Sequence, residues 1–366
     1  MNGNERDSEN EQGDVLDLNE VMQKFGISES EWTSLGLLET PQSEQLSLLV
    51  DVQGQRYVLK ERPEGPIGED IAHRYAFRHF LQSDGIPIPP LWLTPQREPA
   101  VAIGEDFFEL EQWVDGELFS SADQRNLHWI EAAGQMLARL HQTSRRYAGP
   151  VQRWPSEAHI GGLVQGYLNL ARSQAEASEI QAIAAALSDW VEQWEAVLPA
   201  AMMSIGSVRG LPEMHIHGDY RPVNLRFSPQ TQGVNAVLNL EASRWEKRIF
   251  EVAYSLFCFS ALDWQPESGL TCPLVKRGLE PERATTFLRA YTAVYPPVRD
   301  EAFVLVDALS LVAPILTING PLEDLFFTQP GPDEALSEDI MERLAWATSL
   351  PSWLQRVRRQ LAEMWG

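Results

Sequence analysis

The sequence predicts an α+β protein with a small, antiparallel, β-rich part up to about Gly116 and a mainly helical part after it. Two strand-like runs on either side of Gly54 predict a hairpin in the first part. From Asn126 onward, apolar residues recur at helical spacing in several long stretches. Strands that precede the helices, rather than alternating with them, indicate an α+β architecture.

The composition limits the classes of function. The chain has 366 residues, of which 44% are hydrophobic, so it can bury substantial cores in two lobes. Its formal net charge of −23 argues against nucleic acid and anionic membranes as partners, because both attract clustered Lys and Arg. Two cysteines, Cys258 and Cys272, are too few for a disulfide framework and favour a reducing cytoplasm. The sequence has no uninterrupted apolar run of about 18 residues that would span a bilayer.

The first part of the chain reads as a series of short elements. Residues 1–13 contain almost no apolar side chains and are expected to form a disordered acidic tail. Apolar residues between positions 15 and 25 predict a short amphipathic helix. The hairpin follows, with Lys60 near the end of its second strand, and then a helix over residues 69–83. Two more strands are predicted over residues 99–103 and 106–113.

We expect an N-lobe over residues 14–116 and a helical C-lobe over residues 117–366. In the C-lobe, His141 ends the apolar stripe of one helix and is interpreted as a hydrogen-bonded structural histidine. A buried helix is predicted over residues 249–259. Farther on, prolines that include those at 314, 321 and 351 predict breaks between helices.

The most informative stretch runs from His215 to Glu241. It begins H-I-H-G-D-Y-R-P-V-N-L-R-F and, after a short gap, continues V-N-A-V-L-N-L-E. Asp219 and Asn224 are five residues apart in the first segment. The second segment is a strand-like run, and the period of two places Asn239 and Glu241 on one face of it.

With these residues the sequence resembles the aminoglycoside phosphotransferase and choline kinase-like family. That family's catalytic loop reads H-G-D-x-x-x-x-N, and its metal strand reads I/V-D-F/W-E/D. The resemblance implies a two-lobed, protein-kinase-like fold that binds ATP and Mg²⁺ and phosphorylates a hydroxyl group. Asp219 would then be the catalytic base that takes the proton of the acceptor hydroxyl.

The resemblance also implies nucleotide-binding residues in the N-lobe. Lys60 corresponds to the strand lysine that pairs with the α- and β-phosphates. Ser43 is the candidate for a Ser-containing turn over the phosphates, since no glycine is present there. Glu111, Gln112 and Trp113 would belong to the linker whose backbone meets the adenine edge. The helix glutamate that usually pairs with the lysine has no clear counterpart.

The implied metal ligands are Asn224, Asn239 and Glu241. Asn239 stands where the family has an aspartate. Because Mg²⁺ favours carboxylates, an amide at this position should lower the metal affinity. Glu251 stands at the family's D-L-A aspartate, which orients the catalytic loop, and it keeps the negative charge.

The expected function is phosphoryl transfer from ATP to a hydroxyl of a small molecule. The abundant acidic residues would suit a cationic acceptor, such as an amino sugar or an amino alcohol. One alternative stays open: a pseudokinase that binds nucleotide or a protein partner without efficient turnover, because of Asn239. On this reasoning an Asn239→Asp variant would gain turnover if the site is a damaged kinase site.

Overall fold

The computed structural model describes residues 17–38, 46–62, 68–104, 106–151, 159–264, 274–275, 278–298, 300–327 and 332–366. The chain divides into two compact units. Unit 1 comprises residues 1–67 and 90–113, and unit 2 comprises residues 68–89 and 114–366. The tail predicted over residues 1–13 and the phosphate-turn candidate Ser43 lie outside the described residues.

A five-stranded antiparallel sheet makes up most of unit 1. Its strands are β1 (Trp32–Leu37), β2 (Ser47–Val52), β3 (Gln55–Arg62), β4 (Ala100–Ile103) and β5 (Asp106–Gln112), in the order β1-β2-β3-β5-β4. β2 and β3 form the predicted hairpin. Its two turn residues, Gln53 and Gly54, have φ of 53° and 84°. Positive φ at both positions is typical of the type I′ turn, which is common in two-residue hairpins because its twist matches that of the flanking strands.

The core of unit 1 forms on one face of this sheet. A short helix, α1 (Leu18–Lys24), is capped at its N-terminus by Asp17, whose carboxylate accepts the N–H of Asn19 at 2.9 Å. Its apolar side chains join alternate strand residues in one buried cluster, which includes Val21, Met22, Phe25, Val50, Leu59, Phe108 and Leu110. Because strand side chains alternate, the opposite face of β3 and β5 carries charged residues.

Unit 2 is mainly helical. Its helices are α2 (Gly68–Ser83), α3 (Asn126–Ser144), α4 (Ile160–Ala177), α5 (Gln181–Ser207), α6 (Arg248–Ala261), α7 (Pro281–Val294), α8 (Leu305–Phe327) and α9 (Glu334–Trp365). Short antiparallel pairs join β6 (Glu213–Ile216) to β9 (Arg244–Lys247), β7 (Leu225–Phe227) to β8 (Val234–Val237), and β10 (Leu262–Asp263) to β11 (Leu274–Val275). Nearly every side chain of α6 is buried, so this helix forms the centre of the core of unit 2.

The long helices α8 and α9 continue through prolines that the sequence pattern interprets as breaks. Pro314 and Pro321 lie inside α8, and Pro351 lies inside α9. All three are buried, so helix packing outweighs the local loss of a backbone hydrogen bond. In α8 the hydroxyl of Thr317 also donates to the carbonyl of Ala313 at 2.8 Å. The prediction of breaks at these prolines was therefore wrong.

One stretch of the described residues, Ala302–Phe327, is long and apolar enough to cross a membrane, with a mean hydropathy of 1.9 in its best window. In the fold, 78% of that window is buried. A core helix of a globular unit meets the same criteria of length and composition. The burial makes this stretch a core helix of unit 2.

The predicted α+β fold is confirmed, because an antiparallel sheet precedes a mostly helical remainder. β1 has no counterpart among the predicted elements. Most of its side chains are exposed, so its sequence lacks the alternation that marks a half-buried strand. The helix α2 falls within the predicted N-lobe, residues 14–116, but in the structure it groups with unit 2.

Candidate active site

The H-G-D segment lies in a tight turn between β6 and β7 in unit 2. Gly218 has φ of 88°, a conformation that side chains with a Cβ rarely adopt. A Cβ at this position would come within 2.0 Å of the carbonyl oxygen of Ala242. Only glycine therefore fits between the loop and this neighbouring segment. A short 3₁₀ turn, Pro222–Asn224, then carries the chain into β7.

His217 braces the loop through both nitrogens of its imidazole. Its Nε2 lies 2.7 Å from the carbonyl oxygen of Leu238, which can only accept, so Nε2 carries the proton. The other ring nitrogen, Nδ1, then accepts the backbone N–H of Asp219 at 3.2 Å. The imidazole thus connects the segment after β8 to the backbone of the candidate base.

Glu251, in the first turn of α6, closes the buried side of the loop. Its two carboxylate oxygens accept the backbone N–H groups of His217 at 3.0 Å and Gly218 at 2.5 Å. The imidazole Nε2 of His141 lies 2.7 Å from the same carboxylate, and its Nδ1 lies 2.7 Å from the hydroxyl of Tyr291. Glu251 thus occupies the orienting position that the resemblance implies for it, and His141 is a hydrogen-bonded structural histidine.

The charge states on this buried side follow from the same contacts. Burial raises the pKa of Glu251, but the hydrogen bonds from His141 and the loop amides outweigh it, and the pKa lies below its usual value. Burial is also the main effect on His141, and it lowers the pKa of the imidazole. Both pKa shifts agree with an ionised carboxylate at Glu251 that accepts a hydrogen bond from a neutral imidazole at His141.

The carboxylate of Asp219 is held from three directions. Its Oδ2 accepts from Nδ2 of Asn224 at 2.8 Å. Its Oδ1 accepts from the hydroxyl of Tyr254 and forms an ion pair with Nε of Arg221 at 3.0 Å. About a quarter of the Asp219 side chain, 26%, is still exposed. Asp219 is therefore both fixed in position and accessible, which a base acting on a bound hydroxyl requires.

Tyr254 and Arg221 are absent from the residues that the sequence pattern identifies. The sequence does contain a feature that could have identified each of them. Tyr254 follows Glu251 by three residues, so both lie on the same face of α6, which contacts the loop. Arg221 follows Asp219 by two residues within the loop.

Asn239 has a left-handed backbone conformation, with φ of 59° and ψ of 69°. Asparagine adopts this conformation more readily than most residues. β8 ends at Val237, and Glu241 lies in a short 3₁₀ turn, Leu240–Ala242. The prediction that Asn239 and Glu241 share one face of a strand was wrong, because the left-handed residue ends the extended segment before Glu241.

The three predicted metal ligands do not form a carboxylate-rich metal site. Nδ2 of Asn239 donates to Oδ1 of Asn224 at 2.8 Å, so these two amides pair with each other. Glu241 supplies the one carboxylate of the three, and it is partly buried. Among the described residues no group of three or more His, Cys, Asp or Glu side chains is arranged to hold a metal ion. The site as built therefore does not fit Mg²⁺ in the way that the family pattern implies.

Lys60, the lysine predicted to bind the nucleotide phosphates, lies in unit 1 in one of two neighbouring ion pairs. Nζ of Lys60 lies 2.8 Å from Oε1 of Glu111, and Arg62 lies 2.7 Å from Glu109. Each pair is diagonal across β3 and β5 on the face opposite the core. Lys60 thus has a carboxylate partner on a strand, where the family places one on a helix.

The predicted adenine linker is largely part of the sheet. Glu111 and Gln112 are in β5, and Glu111 is buried with its side chain on Lys60. The backbone N–H of Gln112 donates to Pro90 at 2.9 Å, and that of Trp113 donates to Arg56 at 2.9 Å. Because these two N–H groups already donate hydrogen bonds within unit 1, they are not free to bind adenine. The prediction that this segment binds adenine therefore stays open only for its backbone carbonyl groups.

The chain matches the sequence model of the Phosphotransferase enzyme family, APH, over residues 40–300. Among curated proteins it is similar to Acyl-CoA dehydrogenase family member 11 of Gallus gallus. The two are 28% identical over 224 residues, which cover 55% of this chain and 25% of that protein. The chain therefore spans about a quarter of the length of the curated relative.

Solved structures show the same fold at low sequence identity. A microcompartment-associated aminopropanol kinase superposes with a TM-score of 0.66 at 14% identity, covering 93% of this chain and 97% of that one. Spectinomycin phosphotransferase in complex with ADP and spectinomycin superposes with a TM-score of 0.56 at 11% identity, covering 93% and 98%. The family model covers well over half of the chain, and the fold agrees with it. The chain belongs to the phosphotransferase enzyme family and has the protein-kinase-like α+β fold of that family's solved structures.

Proposed function

We propose that this protein transfers the γ-phosphoryl group of ATP to a hydroxyl group of a small molecule. The observation that carries the proposal is the carboxylate of Asp219, which Asn224, Arg221 and Tyr254 hold in place while it stays partly exposed. A base that is fixed and accessible is what a phosphotransferase needs at its acceptor position. Membership of the phosphotransferase family supports the same reaction.

In this reaction the acceptor oxygen forms a bond to the γ-phosphorus of ATP. The bond between that phosphorus and the oxygen bridging to the β-phosphate breaks, and ADP leaves. The proton of the acceptor hydroxyl passes to a carboxylate oxygen of Asp219. Since little covalent chemistry is left to the protein, correct placement of this carboxylate provides much of the rate.

Nucleotide binding is assigned to Lys60, which would contact the α- and β-phosphates. Glu111 limits the movement of the lysine head group from the neighbouring strand. The ADP bound to the spectinomycin phosphotransferase supports an adenine nucleotide as the donor. Mg²⁺ stays a prediction from the family pattern, and no step of the proposal passes through it.

We further propose a cationic acceptor of the amino alcohol or amino sugar class. The net charge of −23 favours the approach of cations, and the structural neighbour named as an aminopropanol kinase supports an amino alcohol. A cytoplasmic location belongs to the same proposal, supported by the free and buried thiol of Cys258.

The first test is thermal unfolding with ATP, with ADP and without nucleotide. A ligand that binds only the native state raises its stability, by about 2.7 kcal/mol at a concentration 100 times the Kd. We expect both nucleotides to raise the Tm. No shift at millimolar ATP would contradict the proposal.

The second test measures phosphoryl transfer from ATP to a panel of amino alcohols, amino sugars and neutral polyols. We expect Asp219→Asn to lower the rate by about 10² to 10⁴-fold, because it removes the base, while the shift in Tm with ATP is retained. Asp189→Asn, on the exposed face of α5, is the matched control and should change neither quantity. Nucleotide binding without transfer to any acceptor would favour the pseudokinase alternative.

A further inference from the structure

Three side chains of unit 2 form a continuous chain of hydrogen bonds at the candidate site. Nδ2 of Asn239 donates to Oδ1 of Asn224 at 2.8 Å. Nδ2 of Asn224 donates in turn to two atoms of Asp219, the main-chain oxygen at 2.7 Å and Oδ2 at 2.8 Å. This series of hydrogen bonds therefore runs from the amide of Asn239 through the amide of Asn224 to the carboxylate of Asp219, the candidate base.

The direction of this chain follows from chemistry. Both oxygens of Asp219 that face Asn224 can only accept, so Asn224 must turn its NH₂ group toward them. Its Oδ1 then faces Asn239, which must present a donor in its turn. An asparagine satisfies this requirement, whereas an ionised aspartate would place an acceptor against an acceptor.

We propose that Asn239 is a positioning residue: its amide orients Asn224, and through Asn224 it orients Asp219, so that the catalytic loop is assembled without a cation between these side chains. An ionised aspartate at 239, as in the family pattern, would need a bound cation to offset the repulsion between its carboxylate and Oδ1 of Asn224. The departure at 239 is thus a different way of holding the loop rather than damage to it. The inference deepens the proposed function, since it concerns the residues that place its base.

The backbone conformation at position 239 allows the side chain to be exchanged without introducing backbone strain. Position 239 is left-handed, and aspartate and glycine both tolerate that conformation. Asn239→Asp exchanges the donor for a charged acceptor, and Asn239→Gly removes the donor without adding an acceptor. Neither change forces the backbone into strain, so differences between the variants report on the side chain.

The experiment is thermal unfolding of the full chain without nucleotide, once with EDTA and once with millimolar Mg²⁺. We expect Asn239→Asp to melt about 4 °C below the wild type in EDTA, because a buried polar group loses its partner. Mg²⁺ should restore at least half of that loss. Asn239→Gly should melt lower than the wild type in both conditions, and wild-type Tm should not respond to Mg²⁺.

The matched control is Asn169→Asp on α4. It adds the same charge to unit 2, but there Oδ1 accepts from Arg172 at 2.9 Å, so aspartate keeps the role of the amide. The control should melt with the wild type in both conditions.

Two results would overturn the inference. One is an Asn239→Asp protein that melts within about 1 °C of the wild type in EDTA. The other is a Mg²⁺ response of the wild type or of Asn239→Gly as large as that of Asn239→Asp. If the aspartate variant does not fold in EDTA, its recovery in Mg²⁺ and the glycine variant still decide the question. The test needs neither ATP nor an acceptor, so its failure is distinct from failure of the proposed function.

Discussion

The catalytic loop has a buried side and an open side, and different chemistry holds each. On the buried side, Glu251 accepts two backbone N–H groups and contacts His141, and both of these side chains are fully enclosed. On the open side, Asp219 is held by amide, hydroxyl and guanidinium groups, and about a quarter of it is exposed. The buried side uses a charge to fix the backbone, whereas the open side fixes a side chain that must still meet a substrate.

The difference predicts how each side responds to change. A donor left unsatisfied on the buried side cannot turn to water, so its loss should lower the free energy of unfolding. On the open side the carboxylate of Asp219 is partly exposed, so water can replace a partner that this carboxylate loses. Such a loss should lower the reaction rate more than the stability. The following variants test this division.

The largest effect is expected for Glu251→Ala. The change leaves the N–H groups of His217 and Gly218 and the imidazole of His141 without their shared acceptor inside the core. Removing one partner of a buried charged network costs about 3–5 kcal/mol. Denaturation by urea should show this loss in the free energy of unfolding.

Two further substitutions test the cause. Glu251→Gln retains one acceptor oxygen and should lose less stability than Glu251→Ala. Glu192→Ala, on an exposed position of α5, removes a helix glutamate without buried partners and should stay within about 0.5 kcal/mol of the wild type. A Glu251→Ala protein as stable as the Glu192→Ala control would contradict the role assigned to the buried side.

The second effect depends on pH and concerns a buried histidine of β6, the strand that leads into the loop. His215, on β6, packs against the rings of Phe77, Tyr147 and Trp245, and burial is the main cause that lowers its pKa to about 4, with a smaller effect from His73. In the unfolded chain its pKa is about 6.5. The unfolded state therefore binds the proton more readily, and stability is lost as the pH falls from about 6.5 towards 4. Between pH 7 and pH 5 the loss from this residue is about 2 kcal/mol.

His215→Phe tests this effect, because phenylalanine suits the aromatic surroundings and cannot be protonated. Urea denaturation at several pH values should give a shallower loss of stability below pH 6.5 than in the wild type. His128→Phe, at an exposed position of α3, should leave the pH dependence unchanged. If His215→Phe and wild type lose stability in parallel, His215 is not the source of the acid sensitivity.

The sequence predicts those features whose determinants lie close together in the chain. The hairpin at Gly54 is a local pattern and forms as expected. The spacing of five residues brings Asn224 to Asp219, where it donates a hydrogen bond, whereas the sequence pattern interprets Asn224 only as a metal ligand. The glutamate partner of Lys60 could not be read in this way, because strand pairing brings Glu111 to it from 51 residues away. Long-range pairing of this kind depends on register, which the local sequence does not specify.

The same limit explains the errors at Asn239 and at the prolines. A strand-like composition continues to Leu240, but the hydrogen bond from Asn239 to Asn224 accompanies a left-handed turn that ends the strand early. Pro314 and Pro351 disfavour a helix locally, yet the surrounding core keeps each helix continuous. In each case a tertiary contact outweighs a local preference.

The smallest effect, and the one specific to the open side, is expected for Tyr254→Phe. Its hydroxyl donates to Oδ1 of Asp219, so the change removes one of the groups that place the candidate base. We expect kcat for phosphoryl transfer to fall about tenfold, equivalent to about 1.4 kcal/mol, with the KM for ATP and the Tm nearly unchanged. Steady-state kinetics with an acceptor from the panel would measure this.

Tyr220→Phe is the matched control for Tyr254→Phe. Tyr220 is next to Asp219 in the chain, but its hydroxyl donates to the buried carbonyl of Ala133 at 2.9 Å. This variant should therefore lose stability while keeping kcat. If the two variants behave alike, with stability and kcat falling together in both, the buried and open sides of the loop are one structural unit. A selective loss of kcat in Tyr254→Phe would instead show that the open side positions the base independently of the fold.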